Sequence, residues 1–334
     1  MARAASLARR AASTRAGRAV TAALREEGSG AAADPPLDGW LQSFYGERLG
    51  EIDVACAGAG PEAYELFRDL DDDLWAMLLS RNYSSFPNIL ALLPEVPEAH
   101  LQQSWNGASG LALLSQSKAF YRHARGVYAL HGPGELSEAT VLDFGCGWGR
   151  LTRFFARDIA PGALLGCDPV EEILDVCRRG RLPAELHLSE FTPATLPFER
   201  KLDLAFSFSV FTHISEATHL ASLEAIYSAL NPGGLLIVTI RPPAYLELDP
   251  KLHATLAELG PDAAAALREP RYLFVPHAAD PLHPQYDGEE MTYGETVITL
   301  PYVRERWSPM FELLDARVCV EDPYQVALTL RRRD

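Results

Sequence analysis

Three glycines at alternate positions, Gly145, Gly147 and Gly149, stand in the run Val141-Leu-Asp-Phe-Gly-Cys-Gly-Trp-Gly-Arg150, where a short apolar stretch gives way to a helical pattern. Without Cβ atoms, such residues allow a tight turn and let a ligand come close to the backbone, so a turn of this kind suits a nucleotide. The spacing is G-x-G-x-G, whereas nicotinamide-binding turns read G-x-G-x-x-G. Asp143, two residues before the first glycine, suits a cationic α-amino group and repels a pyrophosphate. Nineteen residues after Gly149, Asp168 closes the run Leu164-Leu-Gly-Cys-Asp168. A carboxylate there can accept hydrogen bonds from two ribose hydroxyls, a feature shared with nicotinamide enzymes.

Other residues invite chemistry less specifically. Trp105-Asn-Gly-Ala-Ser-Gly110 reads equally as a loop with a buried tryptophan and as a segment closing over a ligand at the glycine turn. Cys146 and Cys167 flank the ligand-binding residues but read more simply as small buried side chains. His277, Asp280, His283, Asp287, Glu289 and Glu290 suggest a metal, yet they show no tight ligand spacing on one helix, and we expect none.

The elements that must position these residues follow from periodicity. Residues 1–36 read as a basic, disordered tail and linker: the first 25 hold six arginines and no acid, and Pro35-Pro36 ends the stretch. The tail shares its composition with transit peptides but reads more simply as part of a chain with 27 arginines against three lysines. Residues 37–134 read as a helical N-terminal region, with helical spacing from Pro61 through Leu78 and again from about Ser109 to Leu130. From 135 onward, apolar runs at 140–144, 163–167, 184–189, 202–208 and 234–240 alternate with helices at 148–158, 170–179 and 215–230, the last capped by Ser215. This rhythm predicts a doubly wound α/β fold. It breaks at Pro242-Pro243, so 242–300 is taken as an insertion on the substrate side. A helix at 302–309 and apolar runs at 311–320 and 324–331 complete the chain.

The net charge of −15 over 334 residues is a poor surface for a polyanion, which argues against nucleic acid as partner. No run approaches the roughly 18 apolar residues of a membrane span. Five cysteines scattered singly fit a reducing, cytoplasmic compartment. Nothing in the sequence sets the oligomeric state.

With Asp143, the glycine spacing, Asp168, the Leu230-Asn-Pro-Gly-Gly234 turn and the apparent terminal hairpin, residues 135–334 resemble the class I S-adenosylmethionine-dependent methyltransferases. The resemblance implies a Rossmann-like seven-stranded sheet with an antiparallel last strand, and S-adenosylmethionine as cofactor. Asp143, Phe144, Gly145, Cys146, Gly147 and Gly149 would hold the methionine end, and Asp168 with Pro169 the ribose. Ser189, Glu190 and Phe191 would border the adenine, and Ser207, Ser209 and Val210 would pass beneath the sulfonium. The absence of an N/D-P-P-Y signature after the fourth run lowers nucleobase amines and glutamine amides as acceptors. The motif style is closest to bacterial small-molecule and glycan methyltransferases. The expected reaction is O-methylation of a sugar, glycan or other hydroxylated small molecule. Alternatives are N-methylation, a nicotinamide-dependent oxidoreductase, and a cofactor-binding protein without catalysis. In this fold His213, in Phe208-Ser-Val-Phe-Thr-His-Ile214, is the expected general base, because an imidazole ordinarily titrates near neutrality.

Overall fold

A computed structural model describes residues 34–278, 291–322 and 324–334. Among the described residues are nine strands, seven of them at or near the apolar runs expected from the sequence. Seven strands form one sheet in the order β3-β2-β1-β4-β5-β9-β8: β1 (Val141–Phe144), β2 (Leu164–Asp168), β3 (Glu185–Leu188), β4 (Leu202–Ser207), β5 (Leu230–Ile240), β8 (Phe311–Val318) and β9 (Val326–Arg332). β1 runs parallel to β2, and β4 parallel to β5, while β9 is antiparallel to both β5 and β8. The expected seven-stranded architecture, including its antiparallel last strand, is what the chain adopts.

The described residues fall into two compact units, 34–129 with 134–187, and 130–133 with 188–334. The contacts therefore do not divide at the boundary near residue 135 that the change of periodicity suggested.

In the first unit, helices α1 (Asp38–Ala55), α2 (Asp72–Ser80), α3 (Pro87–Leu92), α4 (Ala99–Asn106) and α5 (Gly110–His131) precede β1. The single helix expected from Pro61 is instead a 3-10 turn over Pro61–Phe67 and then α2. Asp71 makes the break, because its side chain accepts the amides of Asp73 and Leu74 and so starts a new helix. Of these helices, α2 and α5 pack on α6 (Thr152–Phe155): the Trp75 indole donates to Phe154 O at 3.0 Å, and the Tyr121 ring meets those of Phe154 and Phe155. The fully buried Arg157 pairs with Asp72 and donates to Leu70 O at 2.7 Å. α7 (Glu171–Arg179) joins β2 to β3.

In the second unit, α8 (Glu216–Ala229) starts at the Ser215 hydroxyl, which accepts the Thr218 amide as expected. The turn expected at Asn231–Gly234 lies inside β5 as an irregularity: Leu202 faces Leu230 while Leu204 faces Leu235. Over its described residues the insertion holds regular structure. It carries α9 (Tyr245–Leu248), α10 (His253–Glu258), α11 (Ala263–Ala266) and a two-stranded antiparallel sheet of β6 (Tyr272–Pro276) and β7 (Gly294–Ile298). Leu246, Leu252 and Val297 form its small core. Gly294 has no substitute here, since a Cβ would fall on the Val275 carbonyl. α12 (Leu300–Arg306) leads to β8. Near α12, His219 is fully buried among Phe211, Tyr272, Tyr302 and Trp307, and among the described residues neither ring nitrogen has a hydrogen-bond partner. Burial alone drives its pKa down to about 3.

Among the described residues, no helix is long and apolar enough to cross a membrane. The basic tail (1–33) and Asp280, His283, Asp287, Glu289 and Glu290 lie outside the described residues.

Candidate active site

The glycine turn belongs wholly to the first unit. β1 is buried along its length, and as it ends both Gly145 N (2.8 Å) and Cys146 N (3.0 Å) donate to Cys167 O, turning the chain back over β2. Gly145, Gly147 and Gly149 have φ of 72°, 52° and 76°, a region that side chains disfavour, so the three glycines are where the backbone needs them. Asp168, 5% exposed at the end of β2, accepts Gly147 N on Oδ2 and Val170 N on Oδ1, both at 3.0 Å. It thus braces the turn and the entry to α7, a role that its position in the sequence did not announce.

Asp143 is buried at the end of β1 and accepts the Thr152 hydroxyl at 2.6 Å. Burial pushes its carboxyl up to about 7, against that hydrogen bond and the charge of Arg150. A buried carboxyl so poised gains much from a cation placed beside it. Phe144 and Cys146 are buried and Pro169 half-buried. The Cys146 thiol is held protonated, first by its hydrogen bond with Cys177 and then by burial, which fits a structural thiol. The Trp105–Gly110 segment does reach the turn. A Cβ on Gly147 would lie 3.5 Å from the Trp105 ring, and the Trp148 indole donates to Asn106 at 2.7 Å.

The other expected residues belong to the second unit. Ser189 and Phe191 are half-buried and Glu190 exposed, in a stretch without regular structure. Ser207 is buried at the end of β4. Ser209 has φ of 64°, rare for a residue with a side chain. It is held there by its N–H to Thr239 Oγ1 at 2.7 Å and by contacts of its hydroxyl with Thr212 and Gln325, each at 3.3 Å. Val210 is half-buried, and its carbonyl accepts the His213 amide at 2.9 Å.

His213 lies in a polar cluster with Arg241, Glu295 and His277. Its Nδ1 is 2.8 Å from Gly294 O and its Nε2 is 3.0 Å from Arg241 Nη2. A carbonyl only accepts and a guanidinium only donates, so the ring is neutral, with its proton on Nδ1 and its lone pair given to Arg241. Burial and then Arg241 drive its pKa down to about 4. The expectation that His213 serves as a ready base therefore meets an obstacle: its accepting nitrogen is engaged, and it holds a proton only in acid.

Arg241 directly follows β5. It ion-pairs with Glu295, donates to Thr212 O at 2.9 Å and lies over the Tyr245 ring at 4.3 Å. Glu295 Oε1 takes His277 Nε2 at 3.0 Å and Lys251 Nζ at 3.4 Å. Burial pushes its carboxyl up, but the Arg241 guanidinium outweighs that and holds it below the usual range. Tyr293 stacks on His213 (5.1 Å between centroids, 20° between planes) and meets His277 edge-on at 5.3 Å.

β7 brings these groups together: Gly294 N donates to His213 O, Thr296 N to Thr212 O and Ile298 N to Arg241 O, at 2.7, 2.9 and 3.1 Å. Sequence reasoning missed Arg241 and Glu295. Arg241 at the carboxyl end of an apolar strand was a usable signal, whereas Glu295 sits in a run with no motif.

Residues 141–234 match the family model described as a methyltransferase domain. Over that segment the chain is similar to methyltransferases that use S-adenosylmethionine. A methyltransferase domain implies S-adenosylmethionine as the cofactor. A probable fatty acid methyltransferase of Pseudomonas putida is 30% identical over 102 residues, a match covering 29% of this chain and 25% of the relative's length. Among solved structures, an S-adenosylmethionine-dependent methyltransferase from Mesorhizobium loti is 16% identical, with 64% of this chain and 98% of that chain covered and a TM-score of 0.43. For the magnesium protoporphyrin IX methyltransferase of Synechocystis PCC 6803 the values are 15%, 68%, 90% and 0.43.

Proposed function

We propose that this protein transfers a methyl group from S-adenosylmethionine to a hydroxyl oxygen of a small molecule or glycan. Two buried carboxylates flanking a turn of three positive-φ glycines support the cofactor's place. Asp143 would meet the α-ammonium group and Asp168 the ribose hydroxyls, while Trp105 would cover the methionine end. Ser189, Glu190 and Phe191 would border the adenine, and Ser207, Ser209 and Val210 would lie beneath the sulfonium. The bound cofactor supplies an electrophilic methyl group. What remains for the protein is to orient the acceptor in line, keep out water and take up the hydroxyl proton.

The observation that carries an oxygen acceptor is the His277–Glu295 pair, 3.0 Å apart, within a cluster that follows β4 and β5, where open α/β sheets bind substrates. A carboxylate that orients an imidazole and stabilises its charged form is the arrangement that makes histidine an effective proton acceptor. In this reading His277 takes the proton, Glu295 orients it, and His213 fixes Arg241, which in turn holds Glu295.

The test is turnover with a panel of hydroxylated acceptors. His277→Ala should lower turnover by about 10² to 10⁴ while S-adenosylmethionine affinity stays within about threefold, and His213→Ala should cost less. The reverse order would return the base to His213. Turnover within about threefold of wild type in both variants would remove proton transfer from this cluster.

A further inference from the structure

A cavity of about 400 Å³ lies within the first unit, and two arginines line it. Arg153, 2% exposed, donates to Gly149 O at 3.1 Å, to Trp148 O at 3.4 Å and to Glu95 O at 3.2 and 3.3 Å, and its guanidinium lies over the Trp148 ring at 4.7 Å. Among the described residues, no carboxylate is within ion-pair distance of Arg153. Burial lowers its pKa to about 10, the mark of a cation removed from water without a counter-charge. Arg150, 6% exposed, reaches Gln116 Oε1 at 2.6 Å and Ser117 Oγ at 3.3 Å.

The rest of the lining gives the ligand its second feature. Leu113, Leu114 and Val96 supply an apolar wall. The two acids that also line the cavity, Asp34 and Glu98, are exposed, and Asp34 is turned to the start of α5, where it accepts Leu111 N at 2.8 Å. Buried positive charge beside an apolar wall fits an amphiphilic anion.

We propose that this cavity binds a short-chain carboxylate, with its carboxyl group against Arg153 and Arg150 and its chain along Leu113, Leu114 and Val96. Arg153 holds the carbonyls of Trp148 and Gly149, both in the glycine turn. A carboxylate that draws its N–H groups away loosens the turn, so occupancy of the cavity is coupled to cofactor affinity.

Calorimetry on the full chain, with hexanoate and its neutral counterpart hexanamide as probes, tests this. Hexanoate should bind at least about tenfold more tightly than hexanamide, since a charge-assisted contact is at stake. Val96→Trp, at a half-buried loop position, should abolish hexanoate binding by filling the space. Arg153→Gln should do the same by removing the charge, and the loop variant keeps the test open if Arg153→Gln fails to fold. With S-adenosylhomocysteine saturating, hexanoate should still bind, and each ligand should change the other's affinity by the same factor. Equal binding of hexanamide, unchanged binding in Val96→Trp, or strict competition with S-adenosylhomocysteine overturns the proposal. S-adenosylhomocysteine affinity measured alone reports on the cofactor site separately.

Discussion

The glycine turn and the His213–Arg241–Glu295–His277 cluster are built on opposite principles. In the turn, the backbone is the active material: three φ angles, a shared carbonyl and one carboxylate that accepts two amides fix its path. In the cluster, the backbone serves only to deliver side chains, and the geometry is decided by one buried carboxylate shared among Arg241, His277 and Lys251. A site of the first kind is set mainly by the path of the backbone and tolerates little change of residue type. One of the second kind depends on its charges being present together, because Arg241 and Glu295 are each buried on the strength of the other.

Breaking the cluster should give the largest effect. Glu295→Leu leaves Arg241 buried without its counter-ion and should cost about 3–5 kcal/mol, read as a fall in the chemical-denaturation midpoint. A loss below about 1 kcal/mol would show that the charges are not interdependent. Acid should weaken the same unit next. His219 and His213 have folded pKa values below the ordinary 6.5, so the unfolded chain takes up their protons first. Each histidine's contribution is intact above pH 6.5 and is lost as pH falls, at up to about 1.4 kcal/mol per pH unit, until the folded pKa is reached.

Asp143 acts in the opposite sense, since its folded pKa of about 7 exceeds the unfolded value. Its contribution is present below the unfolded pKa and is lost as pH rises toward 7. The clean measurement is therefore a difference. His219→Phe minus wild type should be flat above pH 7 and gain about 2 kcal/mol for the variant between pH 6.5 and 5. Parallel stability–pH curves for the two proteins would contradict the buried, unpartnered state of His219.

On the side of the turn, Asp168→Ala should weaken S-adenosylmethionine binding by about tenfold or more, because both the brace on Gly147 and the contact expected with ribose disappear. Unchanged affinity would take Asp168 out of the cofactor site. The smallest effect expected is Gly147→Ala. The strain of a Cβ at positive φ costs about 1–2 kcal/mol of stability, and the new methyl group meets the Trp105 ring in ordinary contact. A neutral result would mean that the turn relaxes more freely than its hydrogen bonds suggest.

This contrast also explains what was legible in the sequence. Residues that act through the backbone leave a local signature, which is why Gly145, Gly147, Gly149, Asp143 and Asp168 stand out in the sequence alone, along with the alternation that builds the sheet. Arg241 and Glu295 meet across a separation of 54 residues, and nothing local in either run marks the encounter. His213 was visible, but the partner that takes its lone pair was not, so a role inferred from type and position alone was too simple. The insertion misled for a related reason: the pairing of β6 with β7 depends on long-range partners, which periodicity cannot register.

The seam between β7 and the segments that follow β4 and β5 has a consequence for how the molecule opens. Gly294, Thr296 and Ile298 donate their amides to His213, Thr212 and Arg241, so β7 cannot separate without breaking bonds that also anchor the ends of the sheet. In hydrogen–deuterium exchange, those three amides should protect to nearly the same degree as the amides of β5, as members of one cooperative unit. Among the described residues, the helices α9 to α11, from the same insertion, make no backbone hydrogen bond to the sheet and should exchange through cheaper local openings. An insertion in the sequence would then divide in its energetics into a part that belongs to the core and a part that breathes.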